Sequence, residues 1–327
     1  MAVMAGVQSL GGFSAGLTWR IITFPVSAPG RACPLILFQR RKGQTVSTPE
    51  QRALQRDIIQ ELCVSSHFDA QQEIQRRVEF MADYLASSGM RTLVLGISGG
   101  VDSLVGGCLA QRAAELARER GHPDAAFIAM RLPYGEQRDE HDAMASLEVI
   151  KPDKVIAVNI KPASDAMLDA LVSGQVTFRD PAQQDFLLGN IKARQRMIAQ
   201  YAVAGATGGL VVGTDQAAEA LMGFFTKFGD GAADLTPLTG LTKRRVRALA
   251  QAMGAPESLV LKVPTADLES LTPLKPDEDA FGVTYGEIDD FLEGKDVSAE
   301  AVEVILRTYQ NSAHKRALPR VPPHQGA

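Results

Sequence analysis

The sequence predicts an α/β fold with a doubly wound parallel sheet that is covered by helices on both faces. Four short apolar runs bounded by glycine or polar residues have the length and composition of buried strands. Longer stretches with apolar residues at helical spacing alternate with these runs. Because parallel strands are joined by right-handed crossovers through helices, this alternation favours a doubly wound domain, with additional helices at both ends of the chain.

The individual elements are predicted from local patterns. In the first helix, Ile74, Val78 and Met81 recur at helical spacing, and Gly89 marks its end. The apolar runs predict strands at residues 92–98, 126–130, 155–158 and 209–213. Helical periodicity predicts helices at residues 71–88, 103–120, 136–150, 162–172, 186–204, 217–224, 243–253, 284–293 and 298–308. Residues 262–281 are rich in Pro, Asp and Glu, and we expect a long loop there that acts as a lid.

The first 49 residues differ in composition from the rest of the chain. They contain no Asp or Glu, and their basic residues are Arg20, Arg31, Arg40, Arg41 and Lys42. This composition is typical of a transit peptide, of a disordered tail or of a translation start placed too far upstream. We favour a disordered extension without catalytic function in residues 1–49, a catalytic domain in residues 50–318 and a tail in residues 319–327.

Composition excludes several classes of function. The net charge of −4 argues against a general nucleic-acid binder, which needs an excess of Lys and Arg to neutralise phosphates. No stretch approaches the roughly 20 apolar residues that cross a bilayer. Cys33, Cys63 and Cys108 are far apart and lack CxxC spacing, so neither a zinc site nor a disulfide framework is expected. A reducing, cytoplasmic setting is the simplest expectation.

The strongest local signal is the sequence SGGVDS at residues 98–103, between the first predicted strand and the helix that follows it. Two glycines allow a tight turn that brings backbone N–H groups close to an anion, and the helix N-terminus adds positive potential there. Ser98 and Ser103 supply hydroxyl groups, and Asp102 could hold a magnesium ion between phosphates. The loop therefore predicts a pyrophosphate site; the alternative is a glycine-rich turn with incidental hydroxyls.

This loop resembles that of the ATP pyrophosphatases, enzymes with an adenine nucleotide alpha hydrolase-like fold. They cleave ATP between its α- and β-phosphates and transfer AMP to an acceptor oxygen. The two better-known phosphate motifs are absent, since no Lys follows the glycines as in GxxxxGK[ST] and the spacing of GxGxxG is not met. The loop indicates the type of reaction but leaves the acceptor open.

Later segments resemble the ammonia-dependent NAD synthetases, and the similarity covers roughly residues 58–316. The segments that carry it are RLPYG at 131–135, GNIKAR at 189–194, GTDQAAE at 213–219, GFFTKFGDG at 223–231, PTADLE at 264–269, GVTY at 282–285 and HKR at 314–316. The resemblance implies an ATP-dependent ligase that adenylates the nicotinate carboxylate of deamido-NAD, after which ammonia displaces AMP. The nearest alternative is another enzyme with this loop, such as a tRNA-modifying ATPase that adenylates a base. A catalytically silent nucleotide sensor is the second alternative, and it would lack Asp102 or Glu219.

The same resemblance implies roles for individual residues. The implied ATP-binding residues are Gly96, Ile97, Ser98, Gly99, Gly100, Val101, Asp102, Ser103, Arg131, Thr214, Lys243 and Thr265. The implied deamido-NAD-binding residues are Arg194, Lys227, Asp234, His314 and Lys315. Asp102 and Glu219 are the implied Mg²⁺ ligands, and Asp230 and Lys243 are the implied catalytic residues. The family also implies a homodimer with the dinucleotide site near the interface.

Some assignments have alternatives. Arg244 and Arg245 could belong to the solvated face of a helix, and His314 could be an ordinary surface histidine. Arg196 is a weaker candidate than Arg194, and helical spacing places the two on different faces. Cys108 is expected to be a buried helix residue and not a nucleophile. The segment 268–276 departs from the form found in the family, which leaves the contacts of that loop open.

The expected nitrogen donor is free ammonia. Family members that use glutamine carry a long additional amidase domain with a catalytic cysteine, and we expect no room for one in this chain. An N-terminal cysteine nucleophile is also not expected, because Ala2 follows Met1.

Overall fold

The computed structural model describes residues 48–135, 140–265, 271 and 276–322. A parallel sheet of four strands organises this part of the chain, with the order β3-β2-β1-β4. The strands are β1 (Thr92–Gly96), β2 (Ala126–Arg131), β3 (Lys154–Ala157) and β4 (Gly209–Val211). Val94 in the centre of β1 is in register with Ile128 of β2 and with Val211 of β4. An isolated parallel bridge between Val212 and Leu235 extends the sheet beyond β4.

Helices cover both faces of the sheet. One face buries Leu93, Leu95 and Phe127 against the group formed by α2 (Ala70–Ser87), α3 (Val101–Glu119) and α8 (Lys243–Ala252). The opposite face buries Val94, Ile128 and Met130 against α6 (Pro181–Thr207). Because successive strand residues point to opposite faces, a strand buried on both sides reads as a continuous apolar run. The predicted doubly wound α/β fold is therefore confirmed.

A second apolar cluster is built from helices at the two ends of the described chain. It joins α1 (Pro49–Glu61), α7 (Ala217–Met222), α11 (Tyr285–Leu292) and α12 (Ala299–Asn311) around buried residues that include Ile58, Leu221, Ile288, Phe291 and Ile305. Since α7 follows β4 directly, this cluster fixes the start of α7 against the carboxyl ends of the strands.

Helix α1 was not predicted as an element. Its N-terminus is well specified, because Thr48 and Gln51 form a capping box and Pro49 occupies the first turn. However, Ile58 is the helix's one fully buried residue. A helix with so little buried surface gives a weak apolar period, and it depends on packing that the sequence does not display.

The remaining elements are α4 (Glu140–Ile150), α5 (Lys161–Ser173), α9 (Glu257–Val260), α10 (Asp277–Phe281) and α13 (Ala313–Arg316). Helix α6 begins earlier than predicted because the carboxylate of Asp180 caps the backbone N–H of Gln183. Residues 136–139 of the helix predicted at 136–150 lie outside the described residues, as do residues 266–270 and 272–275 of the expected lid. The described part of that segment includes α10, where a loop was predicted. In the described part of the chain, no helix is both long enough and apolar enough to cross a membrane.

The strand order defines where a ligand site is expected. From β1 the chain crosses to β2 and then to β3 on one side, whereas β4 lies on the other side of β1. The connections therefore leave a crevice between the carboxyl ends of β1 and β4, which is the usual ligand site in open α/β sheets. The loop 98–103 follows β1 and the segment 213–219 follows β4.

Candidate active site

A cavity of about 440 Å³ lies at this crevice, which is a typical volume for a small-molecule site. Most of the residues predicted to bind ATP or Mg²⁺ or to act in catalysis line it, together with Lys315, which was predicted to bind deamido-NAD. They are Gly96, Ile97, Ser98, Gly100, Val101, Asp102, Ser103, Thr214, Glu219, Asp230, Lys243, Thr265 and Lys315. Residues that are separated by more than 200 positions in the chain therefore meet in one cavity, at the place where the strand order predicts a ligand.

The loop 98–103 is held in shape by its own hydroxyl groups. The hydroxyl of Ser103 donates to the carbonyl oxygen of Gly100 at 3.0 Å and accepts from the backbone N–H of Ser98 at 3.2 Å. Gly99 has a φ of +84°, and a Cβ atom placed there would lie 2.7 Å from the backbone nitrogen of Ala143. Glycine is therefore required at position 99 both by backbone conformation and by the close approach of α4.

Helix α3 directs its N-terminus at the cavity. Gly100 is its N-cap residue, and no side chain caps it. The first N–H groups of a helix have no partner within the helix, and they carry the positive end of its dipole. An uncapped 19-residue helix that begins in the wall of a cavity is suited to bind an anion.

Lys243 lies between the two carboxylates that were predicted to bind magnesium. Its ammonium nitrogen is 2.6 Å from Oδ2 of Asp102 and 3.5 Å from Oε1 of Glu219, and the lysine is 1% exposed. Oδ1 of Asp102 is buried and has no hydrogen-bond partner among the described residues. One carboxylate oxygen of the loop 98–103, the predicted phosphate loop, is therefore available for a cation.

Burial and charge shift the pKa values of this group. Burial raises the pKa of the Glu219 carboxyl, and the neighbouring Asp102 raises it further. Burial also disfavours the charged form of Lys243, but Asp102 and Glu219 outweigh it and raise the pKa of the ammonium group. Lys243 therefore keeps its positive charge inside the cavity wall, whereas the charged form of Glu219 is disfavoured there.

Helix α11 positions Lys243 from behind. The carboxylate of Asp289 accepts hydrogen bonds from the backbone N–H groups of Lys243 at 2.9 Å and of Arg244 at 2.8 Å, and thus caps α8. The ammonium group of Lys243 lies 4.9 Å from the ring centroid of Tyr285, whose hydroxyl donates to Asp277 at 3.0 Å. None of these three α10 and α11 side chains was predicted to belong to the site.

The opposite side of the cavity contains Asp230 and Lys315. The carboxylate of Asp230 accepts from the backbone N–H of Thr226 at 2.9 Å. Burial raises the pKa of Asp230, and the hydrogen bond to Thr226 opposes this rise. The ammonium group of Lys315 donates to the carbonyl oxygens of Gly223 and Phe225, each at 2.9 Å, and burial lowers its pKa. These contacts tie α13 to the segment after α7.

Several residues predicted to bind deamido-NAD lie outside the wall of the cavity. Arg194 is exposed and donates to the carbonyl oxygen of Lys227, whose ammonium group donates to the carbonyl oxygen of His314. Asp234 is also exposed and accepts from the backbone N–H of Val211 at 2.7 Å. Arg194, Lys227 and His314 thus form one connected group, which we call the outer basic group.

Arg131, predicted to lie near the nucleotide, is half-buried at the end of β2 and pairs with Glu140 at 2.9 Å. Arg196 lines the cavity, although Arg194 was the stronger candidate from the sequence. The side-chain oxygen of Gln200, one turn further along α6, accepts from the backbone N–H of Gly96 at 2.8 Å. Arg196 and Gln200 are four positions apart and therefore lie on the same face of α6. This spacing was the sequence signal that could have identified the face of α6 that lines the cavity.

The alternative that Arg244 and Arg245 belong to the solvated face of a helix holds for Arg244 but not for Arg245. Arg244 is exposed and pairs with Asp290 and Glu293 on α11. Arg245 is buried and donates to the carbonyl oxygen of Ser65 at 2.8 Å. Neither side chain lines the cavity, so Lys243 is the residue of this stretch that belongs to the site.

Comparison with known proteins agrees with this geometry. The model of the family described as NAD synthase matches residues 73–319. The chain belongs to the NAD synthase family. It is 65% identical over 277 residues to a protein from Streptomyces coelicolor named NH(3)-dependent NAD(+) synthetase, and the match covers 85% of this chain and 100% of that protein. The resemblance inferred from the sequence segments is therefore confirmed.

Two solved structures of NAD synthase-like proteins share the fold. The crystal structure of NAD+ synthetase from Burkholderia pseudomallei has a TM-score of 0.73 at 59% identity and covers 84% of this chain and 99% of that one. The structure of NMN synthetase from Francisella tularensis has a TM-score of 0.69 at 35% identity and covers 79% of this chain and 100% of that one. The names of these two proteins differ in the product, which is a dinucleotide or a mononucleotide.

Proposed function

We propose that this protein is an ammonia-dependent NAD synthetase that uses ATP to convert the nicotinate carboxylate of deamido-NAD into an amide. The observation that carries the proposal is the contact between Asp102 of the phosphate loop and the buried Lys243, with Glu219 beside them, in a member of the NAD synthase family. The S. coelicolor relative, matched over its whole length, is named for this activity.

The chemistry explains why the reaction needs a phosphate site. A carboxylate does not react with ammonia in water, because its oxygen is a poor leaving group. Attack of the carboxylate on the α-phosphorus of ATP forms an acyl-adenylate and releases pyrophosphate. Ammonia then attacks the carbonyl carbon, and the products are NAD and AMP. Charge builds up on the departing pyrophosphate, and fixed donors and cations aimed at it lower the barrier.

We assign this role to residues of the cavity. The N-terminus of α3 and the hydroxyls of Ser98 and Ser103 are the proposed donors to phosphate oxygens, with Lys243 as a buried cation beside them. Thr214 and Thr265 line the same cavity and offer further hydroxyl donors. Most of the rate enhancement would come from holding two substrates in reacting position and from excluding water.

The site fits a magnesium ion. Oδ1 of Asp102 is a buried carboxylate oxygen without a hydrogen-bond partner among the described residues, and the raised pKa of Glu219 indicates a carboxylate that needs additional positive charge. No group of three or more His, Cys, Asp or Glu side chains in the described ranges is placed to hold a metal. Mg²⁺ commonly uses one or two carboxylates together with substrate phosphates and water. When bound, it would neutralise charge on the phosphates.

The acid substrate is assigned to the other side of the cavity. Asp230 and Lys315 line the cavity, and His314 of the outer basic group precedes Lys315 in the chain and connects it to Lys227 and Arg194. Asp234 completes the set of residues proposed for deamido-NAD. The exposed position of the outer basic group suits a dinucleotide site near the interface of a homodimer, and a dimer in the cytoplasm is the assembly that we propose. A protein that elutes as a monomer from calibrated gel filtration and is fully active would contradict the proposed dimer.

A mononucleotide acceptor is the second candidate, because the F. tularensis structure at 35% identity is named NMN synthetase. The two candidates use the same chemistry on the same nicotinate carboxylate. They differ in whether an adenylate half is bound beyond the pyrophosphate. The 65% identity to a protein named as an NAD synthetase favours the dinucleotide.

The test is an assay of the purified protein with ATP, magnesium and ammonium, with deamido-NAD or deamido-NMN as acceptor. We expect NAD and AMP in equal amounts from deamido-NAD, and a much lower kcat/KM for deamido-NMN. Asp102→Ala and Glu219→Ala should both abolish formation of AMP. Formation of AMP without NAD would contradict deamido-NAD as the acceptor of AMP. Turnover of glutamine in place of ammonium would contradict ammonia as the nitrogen donor.

A further inference from the structure

Lys262 contacts the phosphate loop from a segment that lies far from it in the sequence. Its ammonium nitrogen lies 2.7 Å from Oδ2 of Asp142 and 3.4 Å from the carbonyl oxygen of Gly99. The side chain is 20% exposed and lines the cavity. This lysine was not assigned a role from the sequence.

The backbone around Lys262 is anchored on both sides. Leu259 and Val260 of α9 are buried in the main apolar cluster, which fixes the chain just before Lys262. On the other side, Thr265 pairs with Pro276 in an isolated antiparallel bridge, and the backbone N–H of Asp277 donates to the carbonyl oxygen of Pro264 at 3.1 Å. The segment 262–265 is therefore held against the wall of the cavity, and the ammonium group starts from a defined position.

The partner of Lys262 lies at the edge of the site. Asp142 is in the first turn of α4, next to Ala143, whose backbone contacts Gly99. Its side chain is 33% exposed, so the ion pair is partly solvated. Partly solvated ion pairs contribute little to stability. A phosphate oxygen in the cavity can therefore replace Asp142 as the partner of Lys262 at a small cost.

The phosphates of ATP need more positive charge than Lys243 provides, and Lys262 can supply it. The triphosphate of ATP carries several negative charges, and Lys243 already balances Asp102 and Glu219. Lys262 pairs with Asp142 and lies beside Gly99, at a different part of the loop from Asp102. It therefore offers positive charge at a second point along the loop.

We propose that Lys262 is a phosphate ligand for ATP, and that its ammonium group exchanges Asp142 for a phosphate oxygen when ATP binds. The inference rests on the proposed function only in requiring that the protein binds ATP. It assigns Lys262 to the β- or γ-phosphate, because the loop that it contacts is the predicted pyrophosphate site.

Direct binding of ATP and of AMP to the full-length protein, measured by calorimetry in the presence of magnesium, tests this proposal. Lys262→Met should weaken ATP binding about ten- to a hundredfold, the loss expected for a charge-assisted hydrogen bond, and should leave AMP affinity unchanged. Lys262→Arg should retain most of the affinity for ATP. Asp142→Asn is the matched control, because it breaks the same ion pair without removing the cation.

The two variants separate a ligand from a structural ion pair. If Lys262 binds phosphate, Asp142→Asn binds ATP at least as tightly as the wild-type protein. Equal weakening by Lys262→Met and Asp142→Asn would overturn the proposal in favour of a structural role, and so would equal losses for ATP and AMP. A wild-type protein that binds no ATP would instead refute the proposed function.

Discussion

The ammonium nitrogen of Lys243 lies 2.6 Å from Oδ2 of Asp102, and these two residues are 141 positions apart in the chain. The pair joins the first turn of α8 to the first turn of α3. Because Lys243 is 1% exposed, its charge must be balanced by protein groups, and Asp102 and Glu219 provide the balance. One contact therefore links the assembly of the fold to the electrostatics of the phosphate site.

Replacing Lys243 by Met is expected to destabilise the protein and to abolish activity. Removal of the cation leaves two carboxylates together in a buried site, and breaking a buried pair in this way costs about 3–5 kcal/mol in the free energy of unfolding. The loss should become smaller as the pH is lowered, because protonation of Glu219, whose pKa is raised, relieves the repulsion. Urea unfolding over a series of pH values measures both effects. Lys295→Met, at an exposed ion pair, is the control; similar losses in the two variants would contradict the argument.

The phosphate loop allows a sharper comparison between adjacent glycines. Gly99→Ala places a Cβ atom 2.7 Å from the backbone of α4 at a φ of +84°, whereas Gly100→Ala meets only the hydroxyl of Ser98 at 3.4 Å. A non-glycine residue in the left-handed region costs about 1–2 kcal/mol before any clash is counted. We expect Gly99→Ala to lower the melting temperature by several degrees and to weaken ATP binding strongly, with a much smaller change in melting temperature for Gly100→Ala. Equal melting temperatures would show that α4 yields to the added methyl group.

Asp215 should make stability depend on pH. Burial, together with the nearby Asp230, raises its pKa to about 7. In the unfolded chain the carboxyl has its ordinary pKa of about 4, so between these values the folded protein holds one more proton than the unfolded chain. The stability that this group contributes is therefore present below pH 4 and is lost as the pH rises through 7.

Asp215→Asn removes this titration. We expect the variant to be more stable than the wild-type protein at pH 8 by about 1–2 kcal/mol, below the linkage limit of about 4 kcal/mol because the side chain is partly exposed. At pH 4 the two proteins should have similar stability. Thermal unfolding across pH 4–8 gives the result. A difference that is constant over this range would mean that Asp215 does not titrate differently in the folded state.

The two free cysteines of the described chain should differ in reactivity. Cys108 is 7% exposed on α3, and burial raises its pKa to about 11, whereas Cys63 is exposed. Since the thiolate is the reactive form, iodoacetamide at pH 8 should modify Cys63 and leave Cys108 unmodified until the protein unfolds. Peptide mapping by mass spectrometry checks this order. Modification of Cys108 in the folded protein would show that α3 opens under native conditions.

The sequence predicts those parts of the site that are local in the chain. Strand, glycine turn and helix follow one another within residues 92–119, so the phosphate loop could be placed without knowledge of the fold. Resemblance to a family then named Asp102, Glu219 and Lys243 as functional residues, but not the contact between them. Lys262 and Arg196 were not assigned to the site. Both line the cavity, but only because tertiary packing brings their segments of the chain to its wall.

The cap of helix α8 shows the same limit. Thr242 occupies the N-cap position, where a sequence argument looks for the capping side chain, but its hydroxyl makes no capping hydrogen bond. Asp289 of α11 accepts the two backbone N–H groups instead. The capping residue lies 46 positions from the start of the helix, so the sequence around the helix does not predict it.

Asp289→Ala is therefore expected to act on catalysis at a distance from the substrates. Loss of the two hydrogen bonds should lower the free energy of unfolding by about 1–3 kcal/mol, and a looser first turn of α8 should lower kcat by misplacing Lys243. Asp289→Asn keeps one acceptor and should recover part of both losses. The control is Asp290→Ala on the same helix, which removes exposed ion pairs with Arg244 and Lys295 and should change neither quantity appreciably. Chemical unfolding and steady-state kinetics on the three variants measure these effects. If Asp289→Ala lost stability but kept its kcat, Lys243 would be positioned by Asp102 and Glu219 alone.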